Sequence, residues 1–202
     1  MDLTEAINKN TARKKPILDR DPQFFKNIPL PSWIELSLID VCNRACIFCP
    51  KVDENIAPNT YQKMELPLID KLVSDLKKIN FKGAFCLCGY GEPMLHKNLI
   101  TIINKLGDFG GIEMVTNGDL INEETIVELH NSKLSQILIS MYDGIEQKIK
   151  FQNIIKKSKI PENFVTLRER WDKDQEFGLG ATSNRGGTLR VEIDENTKKL
   201  NK

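Results

Sequence analysis

Three cysteines within eight residues constrain this chain more than any other feature of its sequence. Cys42, Cys46 and Cys49 follow a C-x3-C-x2-C spacing, with Pro50 directly after them. A loop this short gains little from a disulfide, but it can fold around a metal. Thiolates are soft ligands that select zinc, copper(I) or iron–sulfur clusters. An electron-carrying [4Fe–4S] cluster takes four protein ligands, so three would leave one iron open for chemistry, as in catalytic zinc sites.

The composition is that of a single globular domain. The chain has 202 residues, of which 40% are hydrophobic and 28% charged, and its net charge is +1. This charge gives no reason to expect nucleic acid or an anionic membrane as a partner. No apolar run approaches the about 20 residues of a membrane span. Five cysteines, an odd number, and an N-terminus without a secretory layout predict a reducing cytoplasm.

Apolar runs and helical periodicity alternate along the chain. The runs predict strands at residues 33–39, 83–88, 112–115, 136–140 and 164–167, and a sixth at 189–193. Helices are predicted from Leu66 to Ile79, over residues 98–106, after an N-cap at Asn122, and over residues 145–158. Strands that alternate with helices form a parallel sheet, which binds ligands at the carboxyl ends of its strands. The sequence therefore predicts an α/β fold with its site at that edge.

Unusual residues follow the ends of several of these strands. They are the cysteine loop, Gly89-Tyr90-Gly91-Glu92-Pro93, Thr116-Asn117-Gly118, Ser140 with Asp143, and Arg168. Because each follows a different strand, we expect them to meet at one edge of the sheet and form an active site.

The cysteine loop resembles that of the radical S-adenosylmethionine (radical SAM) enzymes, whose motif is C-x3-C-x-aromatic-C with Phe48 in the aromatic place. The resemblance implies that Cys42, Cys46 and Cys49 hold three irons of a [4Fe–4S] cluster and that S-adenosyl-L-methionine (SAM) chelates the fourth. An electron would cleave SAM to methionine and a 5′-deoxyadenosyl radical that abstracts hydrogen from a peptide or small molecule. A reduced flavodoxin- or ferredoxin-like donor and a partial (β/α)6 TIM-like barrel, open on one side, are also implied.

The resemblance extends to the other segments at the strand ends. It implies that Gly89, Tyr90, Gly91, Glu92 and Pro93 form the glycine-rich motif that receives the SAM ammonium group. It also implies that Thr116 and Asn117 line the SAM pocket, and that Ser140 and Arg168 bind the ribose hydroxyls or the methionine carboxylate. A guanidinium suits a carboxylate because it binds one bidentately.

Each motif also has a plainer interpretation. The three cysteines would form a zinc site if Cys86, Cys88 or His96 completed it. The two glycine-containing segments would be tight turns, since glycine and Asn-Gly favour turns. Cys86 and Cys88 point to one face of a strand, where they would pack in the core or, less simply, serve a second cluster or a redox role. His96 and His130 join no triad and are expected to be structural or exposed.

The sequence divides into an N-terminal extension (residues 1–32), a radical SAM core (33–193) and a disordered tail (194–202). The short basic run Arg13-Lys14-Lys15 is expected to be solvated. The core resembles the subset of relatives that carry a cysteine-rich extension of SPASM or twitch type, yet no cysteine follows Cys88. We therefore expect a barrel truncated after strand five or six, whose open side a partner chain or a dimer mate covers. The alternative is a truncated or non-catalytic iron–sulfur or zinc module that needs a partner chain.

Overall fold

Five parallel strands form the sheet that organises the protein. The computed structural model describes residues 21–46 and 49–170, together with residues 12, 14 and 15. The strands of the sheet lie in the order in which they occur in the chain: β3 (Trp33–Leu36), β4 (Ala84–Leu87), β5 (Ile112–Thr116), β6 (Gln136–Met141) and β7 (Val165–Glu169). The residues of the predicted sixth strand lie outside the described residues. The parallel α/β fold is as predicted.

Four helices connect these strands. They are α1 (Leu66–Lys78), α2 (Leu99–Leu106), α3 (Glu123–His130) and α4 (Ile145–Ser158). Helix α1 has proline in its first turn, where the missing N–H costs little. Helix α3 begins at the predicted N-cap, where the Asn122 side chain accepts from the Glu124 and Thr125 amides and the Thr125 hydroxyl accepts from the Asn122 amide. Crossovers between sequential parallel strands have one hand, so the helices cover one face of the sheet.

The two faces of the sheet differ in chemistry. The helix-covered face carries apolar side chains that pack against the helices in one hydrophobic core, among them Leu36, Phe85, Leu87, Met114, Ile137 and Ile139. Side chains alternate along a strand, so the next residues point to the opposite face. Glu35, Cys86, Glu113 and Gln136 are paired in register across four strands and share that opposite face, which we call the inner face.

Residues 21–32 contain a hairpin that the sequence analysis does not predict. β1 (Gln23–Phe25) and β2 (Ile28–Leu30) form an antiparallel hairpin whose tight turn holds Lys26 and Asn27 at positive φ. Three-residue strands, one of which contains Pro29, give almost no sequence signal. The Lys14 ammonium lies 4.4 Å from the centroid of the Trp33 ring, so this lysine contacts the start of the sheet and is not simply solvated.

Two of the predicted strand ends are also wrong. β3 ends at Leu36 because the chain leaves the sheet there, and Ile39 forms only an isolated antiparallel bridge with Lys63. β7 extends to Glu169, so Arg168 lies within a strand and not after one. Its partner in register is Ser140, which lies within β6.

Candidate active site

The cysteine loop leaves the carboxyl end of the first strand of the sheet, as predicted. The thiols of Cys42, Cys46 and Cys49 are half-buried and free of disulfides. Burial raises the pKa of Cys42, and it raises the pKa of Cys46 to about 11. Any metal that binds as a thiolate complex would therefore release protons from this loop. The aromatic residue of the motif, Phe48, lies outside the described residues.

Arg44, between the first two cysteines, connects the loop to two other strand ends. Its guanidinium donates from Nε and Nη2 to Asp119, at 2.7 and 2.6 Å, in a bidentate pair. It also donates from Nη1 and Nη2 to Asp143, at 2.9 and 2.5 Å. The ring of Tyr142 lies 5.3 Å from the guanidinium carbon. Hydrogen bonds from Arg44 lower the pKa of Asp143, which keeps this carboxylate charged.

The glycine-rich segment after β4 packs directly against the cysteine loop. A Cβ at Gly91 would lie 1.9 Å from the Ile39 carbonyl oxygen and 3.0 Å from that of Val41. The Val41 carbonyl also accepts a 2.8 Å hydrogen bond from the Glu92 amide. Gly89 adopts a φ of +149° beside Ser37. Glycine is thus required at these positions for close backbone approach as well as for a turn.

Glu92 connects the glycine-rich segment to the end of β5. Its side chain is 3% exposed. One carboxylate oxygen accepts from the Met94 amide at 3.0 Å and the Thr116 hydroxyl at 2.7 Å, and the other accepts from the Asn117 amide at 2.9 Å. Burial raises the pKa of Glu92, and these hydrogen bonds oppose that shift. A carboxylate has about four acceptor positions, and three of those on Glu92 are occupied by these hydrogen bonds.

Asn117 reaches from the end of β5 to the cysteine loop. Its Nδ2 atom donates to Asn43 Oδ1 at 2.8 Å and lies 3.9 Å from Cys42 Sγ. Its Oδ1 atom accepts from the Asp119 amide at 2.9 Å, which positions the carboxylate that Arg44 binds. The predicted turn at residues 116–118 therefore also supports the cysteine loop.

Ser140 and Arg168 form a polar pair on the inner face. Arg168 Nη2 donates to Ser140 Oγ at 2.6 Å.

Pro93 is buried and begins a short 3-10 helix, Pro93–Leu95, whereas the Tyr90 side chain is exposed. The structure thus gathers most of the predicted site residues at the carboxyl ends of β3 to β6. Arg168 lies on β7, beside Ser140 of β6.

The arrangement of thiols bears on the kind of metal. Tetrahedral zinc holds its sulfur ligands at about 2.3 Å, which sets two sulfurs about 3.8 Å apart. Among the described residues, the only three metal-ligating side chains with ligand atoms within 4.8 Å of one another are Glu35, Cys86 and Cys88. Cys42, Cys46 and Cys49, which all belong to the described residues, do not form such a group. His96 does not complete a zinc site, because its Nε2 lies 3.2 Å from the Met64 carbonyl and its Nδ1 accepts from the Asn98 amide.

Sequence reasoning missed several residues of this region. Arg44 lies inside the cysteine motif, and Asp119 directly follows Thr116-Asn117-Gly118. Their pairing has no signal in the sequence, because only the fold brings the two segments together. Glu35 and Glu113 did carry a signal, because each is the single charged residue in an otherwise apolar strand. Cys86 is buried, as the core-packing prediction has it, and Cys88 is half-buried. Both side chains lie on the inner face of the sheet and not among the apolar side chains that pack against the helices.

Comparison with known proteins places this geometry in a family. Residues 36–167 match the Radical SAM superfamily. A SAM-dependent 2-deoxy-scyllo-inosamine dehydrogenase of Niallia circulans is 25% identical over 122 residues, which are 59% of this chain and 48% of that protein. A GTP 3′,8-cyclase of Thermodesulfovibrio yellowstonii is 28% identical over 156 residues, 72% of this chain and 44% of that protein. The chain thus spans about half the length of these curated relatives, or less.

A solved structure supports the barrel architecture. BtrN, crystallised with AdoMet and 2-DOIA, superposes with a TM-score of 0.64 at 23% identity, over 84% of this chain and 64% of BtrN. Within the part of the chain that the structure describes, no helix has the length and apolar character to cross a membrane. The sequential parallel sheet agrees with a partial TIM-like barrel. The family match covers most of the chain and includes the cysteine loop and the strand ends around it, and the chain belongs to the radical SAM superfamily.

Proposed function

We propose that this chain binds a [4Fe–4S] cluster through Cys42, Cys46 and Cys49 and uses it to cleave SAM reductively. When bound, the cluster supplies one electron to the sulfonium, which yields methionine and a 5′-deoxyadenosyl radical that takes a hydrogen atom from the substrate. Superfamily membership supports SAM cleavage as the chemistry. The substrate class that we propose is a small molecule or a peptide.

The observation that carries this proposal is the convergence at one end of the sheet. The cysteine loop is hydrogen-bonded to Asp119, to Asp143 and, through the Val41 carbonyl, to Glu92. These partners follow three other strands, so the loop position depends on the whole edge of the sheet. An active site in which a cofactor and a radical must meet needs such fixed positions.

The chain's own residues have distinct roles in the proposed site. Arg44 holds the cysteine loop against Asp119 and Asp143. The segment around Gly91 has no side chain at the contact with the loop, so its backbone carbonyls and the carboxylate of Glu92 are available to the SAM ammonium. Ser140 and Arg168 offer a hydroxyl and a guanidinium to the ribose hydroxyls or the methionine carboxylate.

The partners follow from the chemistry. The cluster needs a one-electron reductant, for which we propose a flavodoxin- or ferredoxin-like protein. A reducing cytoplasm is the compartment that we propose, because an oxygen-sensitive cluster and free thiols persist there. The named relatives act on a cyclitol amine and on GTP, and both support a small-molecule substrate.

The test is anaerobic reconstitution with iron and sulfide, followed by dithionite and SAM. We expect about four irons per chain, absorption at ~400 nm, and 5′-deoxyadenosine that forms only with dithionite. Cys46→Ala removes one of three thiolate ligands and should abolish both the absorption and the product. Full iron content in Cys46→Ala, or a wild-type protein that binds zinc in this loop and no iron, would refute the assignment.

The same experiment distinguishes the second candidate, a cluster-binding module that does not turn over. A full cluster with no 5′-deoxyadenosine, when a catalytically active radical SAM enzyme in parallel gives product, would replace the enzymatic proposal with the binding module.

A further inference from the structure

A second group of metal-ligating side chains lies away from the cysteine loop, on the inner face of the sheet. One carboxylate oxygen of Glu35 and the sulfur atoms of Cys86 and Cys88 all lie within 4.8 Å of one another. None of these three residues belongs to the radical SAM motif. They are the only such group among the described residues.

The backbone holds these three side chains in place. Glu35 lies in β3 and is paired in register with Cys86 of β4, so their side chains are neighbours on one face. Cys88 is two residues further on, which returns its side chain to the same face. The Cys88 amide donates to the Leu36 carbonyl at 3.1 Å, so the pairing of the two strands continues through this residue. Ligands on paired strands are positioned more accurately than ligands on loops.

A buried carboxylate, Glu113, lies next to Cys86 on the same face but outside the group of three. Glu113 is the next residue in register after Cys86 and is 0% exposed. Its Oε1 atom lies 3.8 Å from the Cys86 sulfur, and its Oε2 atom accepts from Gln136 Nε2 at 2.7 Å. A buried carboxylate is costly unless a charge or hydrogen bonds compensate it. Glu113 has such hydrogen bonds, and a cation bound to the neighbouring sulfur atoms would interact favourably with its carboxylate.

We propose that Glu35, Cys86 and Cys88 bind a single zinc-class divalent cation, whose fourth position Glu113, beside Cys86, would complete. Two sulfurs and two oxygens form the donor set of a four-coordinate ion, and thiolates select zinc over magnesium or calcium. Two thiols are too few for a [4Fe–4S] cluster, which takes cysteines at most or all of its irons. The inference does not depend on the proposed function, because no ligand is shared with the cysteine loop.

The position of this ion would differ from that of the cluster. Cys88 directly precedes Gly89, so the ion would lie on the inner face just below the glycine-rich segment. Binding replaces the two thiol protons with the metal, and both protons go to solvent. No electron transfer is involved, so zinc occupancy does not require a reductant.

Cobalt(II) titration of the reconstituted, cluster-loaded full chain tests the proposal, because cobalt(II) replaces zinc and gives thiolate-to-cobalt absorption. Difference spectra remove the iron–sulfur background. The same titration of the Cys42→Ser/Cys46→Ser/Cys49→Ser variant removes the cluster ligands altogether. We expect one equivalent of cobalt(II) in both proteins, displaced by one equivalent of zinc.

Single variants assign the ligands. Cys88→Ser should remove most of the thiolate absorption and weaken cobalt binding at least tenfold, and Glu35→Gln should weaken it about tenfold. Glu35 is exposed, so this variant should fold normally, which circular dichroism and cluster iron content will check. Glu128→Gln, an exposed glutamate on α3, is the matched control and should bind as wild type.

Two results would overturn the proposal. One is the absence of saturable, zinc-displaceable thiolate absorption in the cluster-loaded chain. The other is unchanged absorption in a Cys86→Ser/Cys88→Ser double variant. Either would show that these residues are only a hydrogen-bonded group of thiols and carboxylates. Cluster iron, measured on the same samples, reports separately on the proposed function.

Discussion

Arg44 lies within the cysteine motif and holds the cysteine loop in place by binding two aspartates. Its four hydrogen bonds reach Asp119 and Asp143, which follow β5 and β6 respectively. Charge-assisted bidentate pairs of this kind are stronger and more directional than ordinary surface ion pairs. Arg44 therefore determines where the cysteines lie without binding metal.

We expect Arg44→Ala to speed the loss of cluster iron to a chelator about tenfold, a factor that corresponds to about 1.4 kcal/mol. The reason is that the loop loses its ion pairs with Asp119 and Asp143 and keeps the weaker hydrogen bonds of Asn43, while the hydrophobic core is untouched. Anaerobic chelation kinetics measure the effect. Lys133→Ala, which breaks an exposed ion pair with Asp108, is the control and should release iron at the wild-type rate. Equal rates for all three proteins would contradict this role of Arg44.

His96 is a buried residue whose protonation opposes folding. It is 2% exposed, and burial lowers its pKa below the usual 6.5. The contacts of its ring define the neutral tautomer, in which Nε2 donates to the Met64 carbonyl and Nδ1 accepts from the Asn98 amide. A proton added at Nδ1 would break the second of these hydrogen bonds.

The free energy of unfolding should therefore fall as the pH drops below 6.5. In that range the unfolded chain takes up a proton at His96 that the folded chain resists, so stability is present above 6.5 and is lost as the pH falls toward the folded pKa. The slope from this one group is at most about 1.4 kcal/mol per pH unit. Urea unfolding of wild type and His96→Gln at several pH values measures it. A slope that is the same in the variant would show that other groups cause it.

The strands and helices that were correctly predicted are those whose hydrophobic pattern matches their burial. Helix α1 starts at the predicted residue, because its apolar stripe and Pro67 both mark that turn. Arg168 was placed wrongly because the end of a strand depends on its neighbour, and β6 continues alongside β7 as far as Met141. Side-chain hydrogen bonds between residues far apart in the chain, as between Arg44 and Asp143, have no local sequence signal.

The glycine-rich segment and the start of the cysteine loop are in close contact at Gly91. Gly91→Ala places a methyl group 1.9 Å from the Ile39 carbonyl oxygen, so the cysteine loop or the glycine-rich segment must move. We expect cluster content to fall at least several-fold while the circular dichroism spectrum stays close to that of wild type. Gly111→Ala is the matched control, since its added carbon would meet only Ser135 Oγ at 3.5 Å. Normal iron content in Gly91→Ala would mean that the two segments are less tightly packed than described.

The whole molecule is organised around one sheet with central and edge strands. β5 lies between β4 and β6 and is almost entirely buried, whereas β3 and β7 are each paired with one strand of the described sheet. Unpaired edges exchange their amide hydrogens through smaller openings than central strands do. The order of strands therefore predicts an order of protection.

We expect hydrogen exchange followed by mass spectrometry to show the slowest exchange in β5 and in the neighbouring β4 and β6. Peptides from β3 and β7 should exchange faster by at least tenfold, because one backbone edge of each is unpaired within the described residues. A partner that covers the open side should slow exchange at the unpaired edges of β3 and β7 and leave the central strands unchanged. Protection of β7 equal to that of β5 in the isolated chain would mean that another segment or a second copy already pairs with it.

The difference between the two faces of the sheet has a consequence for how this protein can change over generations. Its cohesion comes from the apolar residues beneath the helices, while the opposite side presents Glu35, Glu113, Gln136 and Arg168. Glu35 is exposed and Gln136 and Arg168 are half-buried, so substitutions there can alter what the barrel accepts without removing packing from the core, whereas Glu113 is fully buried. The same fold can therefore acquire a different specificity through substitutions on the inner face, while the core beneath the helices is conserved.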